Sequence, residues 1–297
     1  MLLNMQIAIL RNASKLLLLS GLLGLAPCGA YAEAGNAAQL KAHYASLNNE
    51  LRNSPFNRPL IIDSKEDSDS ATGEVYAVIN YPFSKVSNAL KDPANWCDIM
   101  ILHQNTKYCK ASGDLNDAQL KMLIGKKVSQ DLDEAHQMDL NYRLIRSDAN
   151  FMAVQLDADQ GPLDTKNYKV LLEAVPINSK QTFLHFSYSY AYGLAGRIAI
   201  KAYLASAGRN KVGFSPSEEG PGFIGGIRGM VERNTMRYYL AIDSYLGALS
   251  APPDRRLIKR LQDWYAATER YPRQLREISR NAYLSMKREE IRRMETM

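Results

Sequence analysis

Four segments in the middle of the chain alternate between apolar and polar residues. Apolar side chains recur at every second position of 138–144, 152–158, 168–174 and 184–192. Turn signals such as Ser147-Asp148-Ala149-Asn150 and Asn178-Ser179 separate these segments. Because successive side chains of a strand point to opposite faces of a sheet, the pattern predicts consecutive antiparallel strands with one buried face.

A helical period replaces the alternation after Tyr192. Residues 193–207 have helical spacing, and 223–246 form the strongest helical pattern in the chain. The apolar positions of the second segment fall on one stripe: Ile227, Met230, Val231, Tyr238, Ala241, Ile242 and Tyr245. Its other side carries Arg228, Glu232, Arg233, Arg237 and Asp243. We therefore predict a helix that lies with one side on an apolar surface.

Shorter elements precede the alternating segments. The sequence predicts a helix over 37–51, a charged turn-like stretch over 64–73, a strand over 74–81 and a helix from Pro82 to Leu90. Proline suits the first turn of a helix, because the N–H that it lacks would be unpaired there. The order helix, strand, helix, antiparallel strands and long helix predicts an α+β fold.

Two short strings resemble a known family. They are Val75-Tyr76-Ala77-Val78-Ile79-Asn80-Tyr81-Pro82-Phe83-Ser84-Lys85-Val86 and Leu90-Lys91-Asp92-Pro93-Ala94-Asn95-Trp96. With the element order over roughly 60–246, they resemble the opening of the helix-grip START/Bet v 1-like (SRPBCC) superfamily. The resemblance implies a curved antiparallel sheet wrapped around the long C-terminal helix. It does not account for the 193–207 helix, the cysteine pair or the basic C-terminal tail.

The expected organisation has four parts. They are a signal peptide (1–32), an N-terminal helix (33–57), a START-like ligand-binding domain (58–250) and a basic helical extension (251–297). Ala251-Pro252-Pro253 marks the last boundary, since two consecutive prolines interrupt a helix.

The N-terminus predicts an exported protein. Arg11 and Lys15 precede a short apolar run, and Ala30-Tyr31-Ala32 supplies small residues where a signal peptidase cleaves. We expect cleavage after Ala32 and a soluble mature chain of 265 residues in the periplasm or outside the cell. Two alternatives are a lipoprotein acylated at Cys28 and an uncleaved anchor. The proline before Cys28 disfavours the first, and the shortness of the apolar run disfavours the second.

Cys97 and Cys109 are the cysteines that remain after cleavage. In an exported chain, two cysteines twelve residues apart predict a disulfide that closes a small loop. The alternative is a pair of buried free thiols. Neither cysteine belongs to a CxxC pair, which gives a redox role little support.

The resemblance to helix-grip proteins implies a space between the sheet and the long helix that takes a lipid or another apolar ligand. The expected wall and mouth of this cavity consist of Phe186, Tyr188, Tyr190, Tyr192, Tyr142, Trp96, Ile227, Met230 and Tyr238. Tyrosine suits such a wall because it combines a large contact area with one hydroxyl. The alternative is that these aromatic residues fill a core, and alternation alone does not separate the two.

No catalytic signature accompanies these features. Gly220-Pro221-Gly222-Phe223-Ile224-Gly225 matches GxGxxG, but the strands of a dinucleotide-binding unit do not flank it, and we interpret it as a flexible entry to the long helix. His43, His103, His136 and His185 lack metal-ligand spacing. His103 is the best place to look for reactivity, whereas His185 is expected to be exposed. We expect no metal, no cofactor and no enzyme activity.

The excess positive charge lies at the C-terminus. Residues 253–297 carry twelve Lys and Arg against seven Asp and Glu, whereas the rest of the mature chain is nearly neutral. One interpretation is a solvated helical face with ion pairs. The other is a docking surface for an anionic membrane or an acidic protein. A nucleic-acid binder would carry its charge on the folded body, so we expect no nucleic-acid partner.

Three functions therefore remain open on the sequence. The leading hypothesis is an exported START-like protein that shields a hydrophobic molecule, such as a lipid, in an internal cavity. The second is an interaction module that uses the basic C-terminal helices. The third is a cyclase-like or hydrolase-like enzyme on the same fold, which would require titratable groups inside the cavity.

Overall fold

The computed structural model describes residues 35–115, 117–206, 208–218 and 220–296. The predicted signal peptide and its cleavage site lie outside these residues. Eight strands are described: β1 Leu60–Glu66, β2 Ser70–Ile79, β3 Thr106–Ser112, β4 Ala118–Ile124, β5 His136–Ser147, β6 Met152–Gln160, β7 Thr165–Pro176 and β8 Thr182–Tyr192. The described helices are α1 Ala37–Ser46, α2 Asn48–Arg52, α3 Phe83–Leu90, α4 Pro93–Met100, α5 Leu194–Ala205, α6 Gly226–Ala248, α7 Pro253–Thr268, α8 Pro272–Leu275 and α9 Arg280–Thr296.

The strands form one antiparallel sheet in the order β1-β2-β8-β7-β6-β5-β4-β3. The predicted α+β class and the four alternating strands are confirmed. The stretch 64–73, predicted to be turn-like, instead belongs mostly to β1 and β2, which pair from Leu60 with Ala77 to Glu66 with Ala71. The turn-like part is confined to residues 67–69, which join the two strands, and Ser64 is buried.

Helix α6 lies on the buried face of the sheet, in contact with β1, β2 and β8. The apolar stripe predicted for it is buried, as expected. The charged side is buried too: Glu232, Arg233 and Arg237 are almost fully shielded from solvent. Helix α5 and the C-terminal helices cover this side of α6.

The C-terminal extension belongs to the core. Trp264 of α7 is buried and donates its indole N–H to the Arg237 carbonyl at 3.1 Å. Tyr283 of α9 is buried and donates its hydroxyl to the Leu102 carbonyl at 2.9 Å. The extension is therefore the outer layer that encloses α6 and is not a solvated tail.

A buried ionic network fixes α9 to the start of β3. Lys107 and Lys287 pair with the two oxygens of Glu290 at 3.0 and 2.7 Å. Lys287 also donates to the carbonyls of His103 and Thr106, both at 2.7 Å. Burial lowers the pKa of Lys287 to about 8, although Glu290 opposes this shift. The last helix is thus held by a carboxylate that compensates two buried ammonium groups.

The opposite face of the sheet is covered by α1. Leu40, Leu51, Phe151 and Phe183 form a second, smaller apolar cluster there. His185 lies beneath this layer and is buried, so its predicted exposure was wrong. The alternation correctly placed it opposite the aromatic row, but did not show that a helix covers this face.

The predicted disulfide is present between Cys97 of α4 and Cys109 of β3, with 5.2 Å between the two Cα atoms. Asp92 caps α4, because its carboxylate accepts the N–H of Ala94 at 2.9 Å. Proline follows at the first helical position. The bond fastens α4 to the edge strand. No helix in the described ranges is both long and apolar enough to cross a membrane.

Candidate ligand-binding site

A small cavity lies between the buried face of the sheet and α6. Its volume is about 60 Å³. The lining consists of Met100, Met122, Ile124, Met138, Leu140, Pro162, Tyr168, Val170, Tyr188 and Tyr238. The residues come from α4, β4, β5, β7, β8, α6 and the turn before β7. Apolar side chains from many parts of the fold thus form most of its wall.

Three methionines make this wall adaptable. Met100 lies at the end of α4, and Met122 and Met138 are paired neighbours on β4 and β5. Methionine is unbranched, and its flexible side chain fills irregular spaces and repacks at small energetic cost. The cavity is consequently lined by side chains that can change its shape while the strands stay paired.

Tyrosines supply the polar groups of the wall. The rings of Tyr188 and Tyr238 pack with 5.6 Å between centroids, and Tyr168 lies 6.1 Å from Tyr188. Burial, and then neighbouring tyrosines, raise the pKa of Tyr188 well above its usual value. Burial also raises the pKa of Tyr238. These hydroxyls stay protonated at neutral pH, which suits neutral hydrogen bonding better than proton abstraction.

The turn Pro162–Asp164 closes one side of the cavity. Thr165 shares a hydrogen bond of 2.6 Å with the Tyr168 hydroxyl and donates another to the Pro162 carbonyl. Leu163 and Asp164 have φ angles of 59° and 58°, a left-handed conformation that is costly for residues other than glycine. Backbone strain of this kind is often found where a segment has a functional conformation.

Helix α5 lies over this turn. A Cβ added to Gly196 would come within 2.9 Å of the Asp164 carbonyl oxygen, so α5 and the turn are in close contact. Leu163, Leu194 and Ile198 are 61%, 78% and 60% exposed, respectively. The turn and α5, which we call the lid, therefore place an exposed apolar surface directly outside the cavity.

The structure brings together part of the predicted site. Tyr188 and Tyr238 line the cavity. Tyr190 stacks on the cavity residue Tyr168 with 5.5 Å between centroids, and Phe186 packs 6.4 Å from Tyr238. These four residues form a continuous aromatic layer behind the cavity.

The other predicted residues occupy the surrounding core. The Tyr142 hydroxyl donates to the Lys91 carbonyl at 2.6 Å, and the Trp96 indole donates to the Leu90 carbonyl at 2.8 Å. Tyr192 lies at the far end of β8, with its hydroxyl 3.4 Å from the Ser70 carbonyl. Ile227 and Met230 pack in the main core near the start of α6 and do not line the space.

The cavity residues that the sequence did not indicate are mainly the methionines and the turn. Met138 and Leu140 were placed on a buried strand face, but nothing in the alternation separates a cavity wall from a filled core. Met122 and Ile124 lie on β4, a strand that the sequence analysis missed. Pro162 contacts the cavity through a turn with no recognisable motif.

The loop that carries GxGxxG is anchored at its base. Glu232 accepts the backbone N–H of Phe214 at 2.5 Å and the hydroxyls of Ser64 and Ser215 at 2.8 and 2.6 Å. Gly213 and Ile224 are joined by a backbone hydrogen bond of 2.7 Å. Movement of the whole segment 208–226 would break these contacts, which makes α5 the better candidate for a movable cover.

His103 is buried behind the site. Its Nδ1 accepts the backbone N–H of Asn105 at 3.1 Å, and its ring stacks on Tyr238 at 4.8 Å. Burial, reinforced by Arg237 and nearby lysines, lowers the pKa of His103 well below 6.5. The imidazole is therefore neutral and is packed against the back of a cavity tyrosine.

No protein-family model matches this chain, and no curated protein does. Solved structures do match. Norcoclaurine synthase from Thalictrum flavum is 12% identical, with a TM-score of 0.34, over 48% of this chain and 90% of its own. A conserved protein from Geobacillus kaustophilus is 12% identical, with a TM-score of 0.35, over 59% and 95%. Ara h 8.0201 is 9% identical, with a TM-score of 0.34, over 64% and 99%.

These likenesses are too distant to carry an argument about function. The element order and the antiparallel sheet around α6 are visible in the chain itself. The fold is α+β: an eight-stranded antiparallel sheet packs against the long helix α6, and three C-terminal helices among the described residues extend it.

Proposed function

We propose that this protein binds a hydrophobic small molecule, and specifically the apolar part of a lipid, in the cavity between the sheet and α6. The observation that carries the proposal is the mostly apolar space whose wall combines Met100, Met122 and Met138 with tyrosine side chains. Ligand sites share this composition of apolar walls and a few orienting polar groups.

The cavity must expand to hold such a ligand. Pockets for drug-sized molecules measure roughly 300 Å³ or more, whereas this space measures about 60 Å³. Repacking of the methionines and displacement of the lid would enlarge it. Burial of the ligand would then contribute about 25 cal/mol for each Å² of apolar surface removed from water, before entropic costs.

Binding is favoured over catalysis by the chemistry of the wall. The titratable groups that line the cavity are Tyr168, Tyr188 and Tyr238. Burial raises the pKa of each hydroxyl, so none is poised for acid–base chemistry near pH 7. Norcoclaurine synthase, one of the matching structures, is an enzyme, but this wall offers no carboxylate or imidazole for such a reaction.

We also propose that the protein is exported and works in the periplasm or outside the cell. The signal-like sequence 1–32 supports this location, and so does the Cys97–Cys109 disulfide, because such bonds persist in oxidising compartments. Native mass spectrometry of the protein purified from its own host tests both proposals. We expect the mass of a chain whose first residue is Glu33, together with a second species that carries a bound lipid in every preparation.

Filling the cavity tests the binding site directly. In Val170→Trp, the indole would occupy the space, and uptake of the neutral probe N-phenyl-1-naphthylamine should fall at least tenfold. Met138→Ala should increase uptake instead, because it enlarges the cavity at a cost of roughly 2–5 kcal/mol in stability. Ile145→Trp is the control, since Ile145 is exposed on β5.

Both cavity variants must retain the circular dichroism of the wild type. Equal uptake by wild type, Val170→Trp and Met138→Ala would show that the probe binds elsewhere and would refute this site.

A surface on the C-terminal helices supports a second role as a contact with an anionic membrane. Arg280 and Arg288 are exposed in an open groove along α7 and α9. Vesicles of phosphatidylcholine and phosphatidylglycerol should sediment the wild type but not Arg280→Glu/Arg288→Glu, because charge reversal removes the attraction. Equal sedimentation of both proteins would exclude this surface.

A further inference from the structure

Four cations gather around one carboxylate beside α6. Glu277 pairs with Lys127 at 2.5 Å, with Arg237 at 2.8 Å and with Lys211 at 3.3 Å. Arg233 lies one turn before Arg237 on α6 and interacts with Tyr203 of α5 and with Glu277. We call Arg233, Arg237, Lys127 and Lys211 the cation cluster.

The charges of the cluster do not balance. In the described ranges, Glu277 is the only carboxylate within ion-pair distance of any of the four cations. One negative charge therefore faces four positive ones. An uncompensated buried charge costs several kcal/mol, so native proteins pair such groups or bring a counter-ion to them.

Two buried donors in the cluster lack hydrogen-bond partners. Nη1 of Arg233 and Nε of Arg237 make no hydrogen bond, and both residues are 1% exposed. Arginine remains protonated in proteins, and its planar group bonds carboxylate or phosphate through two N–H donors. The free donors thus match the needs of an oxyanion.

The outer side of the cluster is partly exposed to solvent. The side chains of Lys127 and Lys211 are 24% and 21% exposed. Lys127 also donates to the Tyr203 hydroxyl at 3.4 Å, and Tyr203 belongs to the lid helix α5. A ligand that enters past the lid would therefore meet this positive edge first.

None of the four cations lines the cavity, but residues next to them in the chain do. Tyr238 lines the cavity and directly follows Arg237 on α6. Ile124 also lines it and lies three residues before Lys127. The positive charge of Arg233 acts on Tyr190, the ring that stacks on the cavity residue Tyr168. An apolar chain in the cavity could thus end at the cluster.

Burial, together with the neighbouring cations, lowers the pKa of two groups near the cluster. The pKa of Lys127 is lowered to about 8, first by burial and then by Arg237, against the opposing effect of Glu277. The pKa of His103 is lowered by burial and then by Arg237, Lys287, Lys127 and Lys107. Burial is the larger cause of both shifts, and the positive charge of the cluster adds to it.

We propose that the cation cluster is an oxyanion site, which binds the carboxylate or phosphate of an amphiphilic ligand whose apolar part lies in the methionine-lined cavity. This inference rests on the proposed function for the apolar part. It adds the chemical class of the ligand: an anionic amphiphile and not a sterol, a triglyceride or another neutral lipid.

Three probes with alkyl chains of equal length test the chemical class of the ligand. Lauric acid and dodecyl phosphate carry the oxyanion, whereas dodecanol does not. Displacement of N-phenyl-1-naphthylamine from the mature protein should show at least tenfold tighter binding of the two anions than of the alcohol, as expected for charge-assisted hydrogen bonds. Inorganic phosphate alone serves as the probe for a free anion.

Arg233→Met is the decisive variant, because Arg233 makes no ion pair within the described residues. It should bring the affinity for lauric acid down to that for dodecanol and leave dodecanol binding unchanged. Its melting temperature should not fall, since the change removes an unpaired buried charge. Arg228→Met is the matched control, because Arg228 lies on the same helix and pairs with Glu218 away from the cluster.

The outcomes separate the two proposals. Equal affinity for acid and alcohol, or an acid preference that survives Arg233→Met, overturns the oxyanion site while cavity binding stands. If no amphiphile binds but phosphate raises the melting temperature of the wild type and not of Arg233→Met, the site holds a free anion and the proposed function fails. If phosphate and amphiphiles all have no effect, both proposals fail.

Discussion

The pKa of His185 depends on two carboxylates of the sheet, and its burial depends on helix α1, which covers this face. Its ring nitrogens lie 3.0 Å from carboxylate oxygens of Glu74 and Glu173, and its ring stacks on Tyr76 at 4.5 Å. Burial lowers its pKa, but hydrogen bonds and attraction to the two carboxylates prevail and raise it to about 9. His185 is therefore a buried cation at neutral pH, held on a sheet face that α1 covers.

This pair of contacts makes stability depend on pH. Because the pKa of His185 rises from about 6.5 in the unfolded chain to about 9, its contribution is fully present below pH 6.5 and is lost between pH 6.5 and 9. Glu74 has a lowered pKa, so its contribution is lost as the pH falls below about 4.5. We expect the stability that His185 contributes, measured by urea unfolding as the difference between wild type and His185→Gln, to be greatest below pH 6.5 and to fall by up to about 3 kcal/mol by pH 9.5.

Replacing His185 tests whether this residue causes the pH dependence of stability. His185→Gln should flatten the curve between pH 6.5 and 9, since glutamine does not titrate. His136→Gln is the control, because His136 is exposed at the start of β5. An unchanged slope in His185→Gln would mean that other groups cause it.

Among the site residues, those that depend on local pattern could be predicted. Tyr188 belongs to a run in which every second residue is apolar, and Tyr238 belongs to the helical stripe. The buried charges could not be predicted in this way. Arg237 and Glu232 look like a solvent-facing helix side until distant segments supply Glu277, Ser64 and Ser215 as partners.

At the scale of elements, the C-terminal extension behaves as part of the domain. An experiment that deletes 253–297 would expose the covered side of α6, and loss of function would then report unfolding and not the loss of a binding surface. The contribution of α9 is better measured through Glu290, which compensates Lys107 and Lys287 in the interior.

Glu290→Gln should lower the free energy of unfolding by roughly 3–5 kcal/mol, because it leaves two buried ammonium groups without a carboxylate. Glu289→Gln is the matched control one residue earlier, where the carboxylate pairs with Arg292 and Arg293 at the surface. It should leave the urea midpoint unchanged. Equal effects of the two substitutions would contradict the network.

The elements that the sequence analysis missed have weak patterns. β3 reads Thr106-Lys107-Tyr108-Cys109-Lys110-Ala111-Ser112 and is irregular near Thr106, where its pairing with β4 shifts register. β4 has only seven residues. Helices α5 to α9 were predicted more closely, because their periodicity continues over longer segments or ends at prolines.

At the scale of the whole molecule, the fold class follows from patterns within short segments, while the cavity does not. Its wall combines side chains from seven parts of the chain, and its volume depends on how these side chains pack together. Because protein interiors are close-packed, one added or removed methylene group changes the volume of such a cavity noticeably. The sequence could therefore predict which face of the sheet encloses a site, but not how much room remains there.

The position of α9 has a consequence for association between molecules. An edge strand exposes unpaired backbone groups, which can pair with the edge of another sheet. β3 is one edge of this sheet, and Lys287 of α9 donates a hydrogen bond to the carbonyl of its first residue, Thr106. At the other edge, β1 ends in Lys65-Glu66, charged and exposed. One edge is thus shielded by a helix and the other by charge, which protects the sheet from growing into aggregates.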